Sequence, residues 1–190
     1  MADKKHRHFK LHKPYGYLSQ FVRYERNRRN KKMLGALYDF PEGTMSVGRL
    51  DEKSEGLLIL TTDGQVSFDL RSKNVEKEYY VQVDGEITQE AIEGMKKGVV
   101  IGFDGKKYQT LPCQIWRIND PDFIPRKKKI RDARHGPTSW ISVVLTEGKY
   151  KQVRKMTSAV GFPTLRLVRV RIGNIHLGVF EPGRVEEISF

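Results

Sequence analysis

The apolar residues of this chain come in short runs that stop at turns, and that limits it to strands and brief helices. Residues 57–60 (LLIL) close on Thr61-Thr62-Asp63-Gly64, and residues 79–83 (YYVQV), rich in β-branched and aromatic side chains, close on Asp84-Gly85. Residues 140–145 (WISVVL) form a third such run, and residues 99–118 read as a pair of strands around the turn at Asp104-Gly105. No run approaches the roughly 20 apolar residues that a bilayer-crossing helix needs, so the chain reads as soluble.

Helical signals are few. Residues 65–70 suit a short helix. Thr88 is a plausible N-cap for a second, with Ala91, Ile92 and Met95 on one face and an end near Gly98. A third is predicted over residues 151–160, where Val153, Met156 and Val160 share a side and Gly161 ends the helix. Residues 165–172 and 175–179 alternate as strands do. Strands interspersed with few helices predict an α+β fold with a largely antiparallel mixed sheet and flanking helices, rather than a doubly wound one. With 190 residues, no internal repeat and no convincing linker, one folding unit is expected.

Charge narrows the partner. The chain carries 35 Lys+Arg against 23 Asp+Glu, a formal net charge of +12, which favours a polyanion because neutralising phosphates releases their counterions. Two blocks concentrate it: residues 23–32 (RYERNRRNKK) and 125–134 (PRKKKIRDAR) each hold six basic residues and one acidic. Both lack an apolar period and read as surface loops. Runs of this kind also serve solubility alone, but their arginines, which pair bidentately with phosphate and stack on bases, favour RNA contact. The candidates are Arg23, Arg26, Arg28 and Arg29 in the first block and Arg126, Lys127, Lys128 and Lys129 in the second.

The N-terminus is basic but is followed by no apolar core of a secretory signal. A lone cysteine, Cys113, allows no intramolecular disulfide and suits a reducing cytoplasm. His6, His8 and His12 lie in this basic segment and read as nucleic-acid contacts; with one cysteine, a zinc site has few ligands. No P-loop, GxGxxG, GxSxG or HExxH is present, which argues against NTP hydrolysis, hydride transfer and zinc peptidase chemistry.

What remains is the segment 47–64, VGRLDEKSEGLLILTTDG. It puts Arg49 and Asp51 two residues apart just before a buried strand, with glycine on both sides. An isolated RLD loop most often holds a structural Arg-Asp pair.

The whole segment, however, resembles the signature of the pseudouridine synthases, in the group that includes the small-subunit enzyme A and the large-subunit enzymes. That pattern runs GRLD, two variable residues, Ser or Thr, one variable residue, then GLL with a strand and turn. Three further stretches agree in order: Lys13-Pro14-Tyr15-Gly16 with the opening KP motif, Lys77-Glu78-Tyr79 with K-x-Y, and residues 147–156 (EGKYKQVRKM) with the EG-x-x-x-QVR-x-M helix. Residues 165–173 (LRLVRVRIG) look like the last core motif, so the resemblance covers roughly residues 11–188.

Two departures stand out. Most of the group begins with a small S4 RNA-binding domain, whereas here only a basic stretch of about ten residues precedes the core. The expected organisation is therefore a basic tail over residues 1–10 and a catalytic domain of two packed lobes over 11–190. Together with residues 163–167 (PTLRL), this looks most like the S4-free branch acting on large-subunit (23S) ribosomal RNA, free or in an assembly intermediate. Position 151 is Lys where relatives often carry His or Arg, which should change RNA contacts rather than chemistry.

The resemblance implies an isomerisation in which the bond from ribose C1′ to uracil N1 breaks, the base turns, and C1′ joins C5. It is net neutral, so no cofactor and no metal is expected. Asp51 becomes the catalytic carboxylate, either attacking C1′ or taking a proton from C2′. A carboxylate in a partly dry pocket tends to take up a proton unless a cation lies within about 4–6 Å; the resemblance assigns that cation to Arg154. It makes Arg49 the base-flipping arginine, although a phosphate clamp or an ion pair suits the residue equally. Tyr79 stacks on the flipped uracil, with Tyr80, on the opposite face of its strand, as the core aromatic. Leu167 is an apolar wall. A monomer is expected. The alternatives are a synthase for small-subunit or transfer RNA, and a non-catalytic ribosomal RNA-binding assembly factor.

Overall fold

A computed structural model describes residues 5–22, 31–126, 128–130 and 133–190, and divides the chain into two compact units. The first comprises Met1–Val75 and Arg169–Phe190, the second Glu76–Val168. Arg23, Arg26, Arg28, Arg29 and Lys127 lie outside the described residues.

In the first unit β1 (His8–Lys13) runs antiparallel between β11 (Val185–Ile188) and β3 (Glu55–Thr61). A two-residue strand, β2 (Met45–Ser46), pairs with β3, and α1 (Gly64–Leu70) follows it. All seven residues of β3 are buried, as the apolar run demands of a strand covered on both faces. Alternation sends Phe9 and Leu11 of β1 to one face, opposite Leu60 and Leu58 of β3. There they meet Leu34, with Phe21, Leu37 and Phe40 packed around them. Phe40 stands edge-on to Phe9 at 5.5 Å and to Phe21 at 5.4 Å, a geometry aromatic quadrupoles prefer. Asp63 starts α1 by accepting from the amides of Gln65 and Val66, which holds its carboxyl below the usual range.

β1 corrects two expectations. Its first residue is His8, so residues 8–10 of the expected tail belong to a sheet. His12 is buried with Nδ1 on the Phe180 carbonyl, and His8 Nδ1 lies 2.8 Å from Thr61 Oγ1. These two rings serve the packing of a strand; only His6, exposed beside Thr62, stands at the surface.

In the second unit β4 (Lys77–Asp84) pairs antiparallel with β8 (Thr138–Leu145) over eight residues, and β7 (Gln114–Ile118) lies on the other side of β8. One face of this ladder carries Val81, Val83, Ile141 and Val143, buried under α2 (Gln89–Lys97) and α3 (Gln152–Ala159) through Ile92, Met95, Val153 and Met156. Thr88 caps α2 by accepting from the Ala91 amide. Gly98 ends it at φ +94, where an added Cβ would sit 2.3 Å from the Thr110 carbonyl oxygen, so the position admits only glycine. The expected strand pair over residues 99–118 is three strands: β5 (Val100–Phe103) and β6 (Lys106–Gln109) form the hairpin at Asp104-Gly105, while β7 joins the larger sheet. Local sequence marks a turn but not which neighbour a strand will pair with.

β9 (Thr164–Ile172) begins in the second unit and ends in the first, where β10 (Ile175–His176) turns back on it. The strand expected over residues 175–179 stops at His176, and Val179 is fully exposed. Among the described residues the sheet pairings given by register are antiparallel, and no helix is long and apolar enough to cross a membrane.

Candidate active site

Asp51 sits in a turn closed by the Ser54 amide donating to its carbonyl at 3.0 Å, immediately before β3. Its backbone is fixed from outside. Ser19 Oγ donates to the Leu50 carbonyl at 2.9 Å and accepts from the Leu50 amide at 3.0 Å, satisfying both main-chain groups of a buried residue. The Gly16 amide donates to Glu52 O at 2.8 Å, and the Lys31 ammonium pairs with the Glu52 carboxylate at 2.7 Å. Asp51 is half-buried and Arg49 exposed, so the loop presents a carboxylate and a guanidinium from a rigid base. Gly48, at φ +69, makes the turn into it.

Beneath this loop lies Lys13, fully buried. It shares the parity of Phe9 and Leu11 on β1 and therefore enters the same interior face. There it stands opposite Gly56, which has no side chain to compete for the space. Its ammonium donates to Tyr17 O at 2.7 Å and Pro14 O at 3.0 Å. Burial pushes its pKa down to about 7, against the attraction of Glu55, Asp51 and Glu52, with Arg169 adding to the depression. Arg169 is itself buried, its Nε donating to Leu57 O at 2.8 Å. The field of a buried lysine thus reaches Asp51 from within its own unit.

Sequence reasoning placed Lys13 in a motif without giving it a role and passed over Ser19. The parity of Lys13 with Phe9 and Leu11 was the available signal. For Ser19 there was none, since 31 residues separate it from its partner.

The second unit gathers the other named groups. Tyr79 is half-buried on β4 opposite Val143, and it packs against the same apolar cluster as Leu167 of β9 and as Val153 and Met156 of α3. Arg154 is half-buried on α3. The structure thus brings Tyr79, Leu167 and the helix bearing Arg154 into one cluster. Tyr80 points to the opposite face, as alternation requires, but there it rests against Phe123 at 6.1 Å and burial raises its phenol pKa. Of the two tyrosines it is Tyr79 that packs on the buried core, a correction to the expectation for Tyr80.

Within the second basic block Arg126 is half-buried, with Nε donating to Lys128 O at 2.9 Å, while Lys128 and Lys129 are exposed. Among the described residues no group of three or more His, Cys, Asp or Glu side chains could hold a metal ion.

Comparison with known proteins places this arrangement. Over 182 residues the chain is 40% identical to the ribosomal large subunit pseudouridine synthase E of Vibrio parahaemolyticus, covering 94% of this chain and 72% of that one. It is 41% identical over 175 residues to the protein of the same name from Xanthomonas axonopodis pv. citri, covering 90% and 88%. Among solved structures, a crystal structure of a pseudouridylate synthase superposes with a TM-score of 0.77 over 100% of this chain and 73% of that one, at 24% identity. Human RNA pseudouridylate synthase domain containing 1 gives 0.53 over 97% and 79%, at 15% identity. At those identities the likeness is one of fold, and the fold is that of the pseudouridine synthases. The family model for RNA pseudouridylate synthase matches residues 7–159, and the chain belongs to that family.

Proposed function

We propose that this chain converts a uridine of large-subunit ribosomal RNA to pseudouridine, with Asp51 as the carboxylate that acts on the ribose. The observation that carries the reading is the setting of Asp51. Its turn is clamped at Leu50 by Ser19 and at Glu52 by Gly16 and Lys31, over a buried ammonium whose charge acts on it. The large-subunit target rests on the relatives, which bear that name at 40% identity over most of this chain.

Each residue has a task in the isomerisation. Asp51 acts as the carboxylate that either attacks C1′ or removes the C2′ proton, with the Lys13 ammonium buried in the same unit. Arg154, in the first turn of α3, is the second positive charge proposed for the reacting carboxylate. Tyr79 offers a ring face to the extruded uracil and a phenol near the C5 proton that is lost. Leu167, from the same cluster, keeps water from the detached base. Arg49, exposed beside Asp51, holds the RNA where the nucleotide has left the stack. Lys128, Lys129 and the arginines of both basic blocks contribute phosphate contacts.

The test is carbodiimide-primer-extension mapping of large- and small-subunit ribosomal RNA after incubation with wild type and Asp51→Asn. A stop on large-subunit RNA made only by wild type is expected. A stop made equally by the variant removes Asp51 from the chemistry, and a stop confined to small-subunit RNA moves the target.

A further inference from the structure

The turn before α3 presents an aromatic and basic surface that the chemistry above does not use. Tyr150 is 62% exposed, an unusual position for a large ring held in a tight turn. Its place is set by Glu147, whose carboxylate accepts from the Leu111 amide at 2.8 Å, from Tyr108 Oη at 2.7 Å and from the Gln152 side chain. Gln152 Oε1 in turn accepts from the Lys149 amide at 3.0 Å. The two ends of the turn are therefore tied together while Tyr150 projects between them.

Lys151 follows in the left-handed region, at φ 52 and ψ 32, and its side chain makes no capping hydrogen bond to α3. A non-glycine residue held there is strained, and the clamp around it sustains the strain. The result is that the Lys151 ammonium lies 4.9 Å from the centroid of Tyr150, with that of Lys155 at 5.4 Å. The surface continues onto the β5–β6 hairpin. Lys149 stands over both Phe103 and Tyr108, at 4.9 and 4.8 Å, and Lys155 donates to Gly102 O at 2.6 Å.

We infer that Tyr150, with Lys151 and Lys155, is a stacking platform for a single-stranded stretch of the RNA substrate. Interleaved rings and ammonium groups are what a single strand needs: a π face for a base and cations for the phosphates on either side. Exposed cation–π contacts are weak enough to be exchanged. A base takes the exposed face of Tyr150 while the two lysines turn to phosphate. A duplex, whose bases are already stacked, has nothing to place on the ring. The platform shares α3 with Arg154, so RNA held there bears on the helix that carries a proposed active-site residue. The assignment rests on the chain acting on RNA, and is independent of the ribosomal target proposed above.

The test is fluorescence anisotropy with a labelled uridine-rich single-stranded RNA of some twenty nucleotides and with a duplex of equal length, across a salt series. Tyr150→Ala should weaken single-strand binding about ten-fold, within the range for loss of one base-stacking ring, and Tyr150→Phe should retain it. Lys151→Ala with Lys155→Ala should reduce the slope of log affinity against log salt by about 1.4, for two single-strand phosphates released. Single-strand binding by Tyr150→Ala within two-fold of wild type overturns the platform. So does failure of wild type to bind the probe, or an equal loss on the duplex. Failure of the ribosomal mapping leaves this result untouched, because the probe contains no ribosomal sequence.

Discussion

Ser19 and Leu50 are joined twice through one hydroxyl, which donates to the Leu50 carbonyl and accepts from its amide, one residue before Asp51. The pair converts a surface turn into a fixed mount, because both main-chain groups of buried Leu50 depend on it. Ser19→Ala leaves them unsatisfied, at a cost of about 1–3 kcal/mol. The greater effect falls on placement: small displacements of a reacting group cost on the order of 10²-fold in rate. We expect turnover to fall 10- to 100-fold with RNA affinity retained, measured by single-turnover kinetics beside filter binding. Turnover at the wild-type rate would detach the loop from Ser19.

Lys13 makes stability depend on pH in a direction opposite to that of a surface lysine in an ion pair. Its folded pKa is depressed to about 7 from the usual 10.5. Between those values the unfolded chain binds the proton and the folded chain does not, so stability rises with pH across that window and levels off above it. The full rise is on the order of 5 kcal/mol. Lys13→Met lacks it, and denaturant unfolding of both proteins between pH 6.5 and 9.5 should give curves that diverge as pH rises. Parallel curves would show that Lys13 titrates normally.

The same titration weakens the positive field at Asp51 above neutrality. Lys13→Met should therefore lose activity at pH 6.5, where the wild-type ammonium is charged, and approach wild type near pH 9. A pH–rate profile of both proteins at saturating RNA checks this, and a constant ratio across the range would confine Lys13 to a packing role.

Arg154→Ala should reduce turnover by roughly 10²- to 10³-fold, as for removal of a preorganised charge at a reacting centre. Arg154→Lys should recover part of it, since charge is kept while the planar fork is lost. Equal loss in both variants, with thermal stability unchanged, would point to geometry rather than charge.

Gly98→Ala tests the end of α2 without touching the chemistry. The new Cβ meets the Thr110 carbonyl oxygen at 2.3 Å with φ at +94, a clash with backbone on top of left-handed strain of about 1–3 kcal/mol. A fall in Tm of about 4–10 °C is expected by calorimetry, given about 2–4 °C per kcal/mol in a chain of this size.

Much of the chain was legible because its signals are local. The turn at Asp63-Gly64, the cap at Thr88, the apolar face of Ile92 and Met95, and the turn at Asp104-Gly105 each act within a few residues. The segment around Arg49 and Asp51 was legible for a different reason: the family signature it resembles is a contiguous set of residue types. By itself, then, the sequence determined the kinds of element and the family, and it singled out Asp51 as the carboxylate now proposed. Tertiary structure alone decided which strands pair, so that β7 leaves the 99–118 hairpin and joins β8, and His12 enters a sheet instead of facing a partner. It also decided the surroundings of Asp51, where Ser19 reaches across 31 residues to Leu50 and Lys13 reaches it through burial. Pairing and burial are settled by contacts distant in sequence, and desolvation, which sets the charge of Lys13, exists only once the core has closed around it.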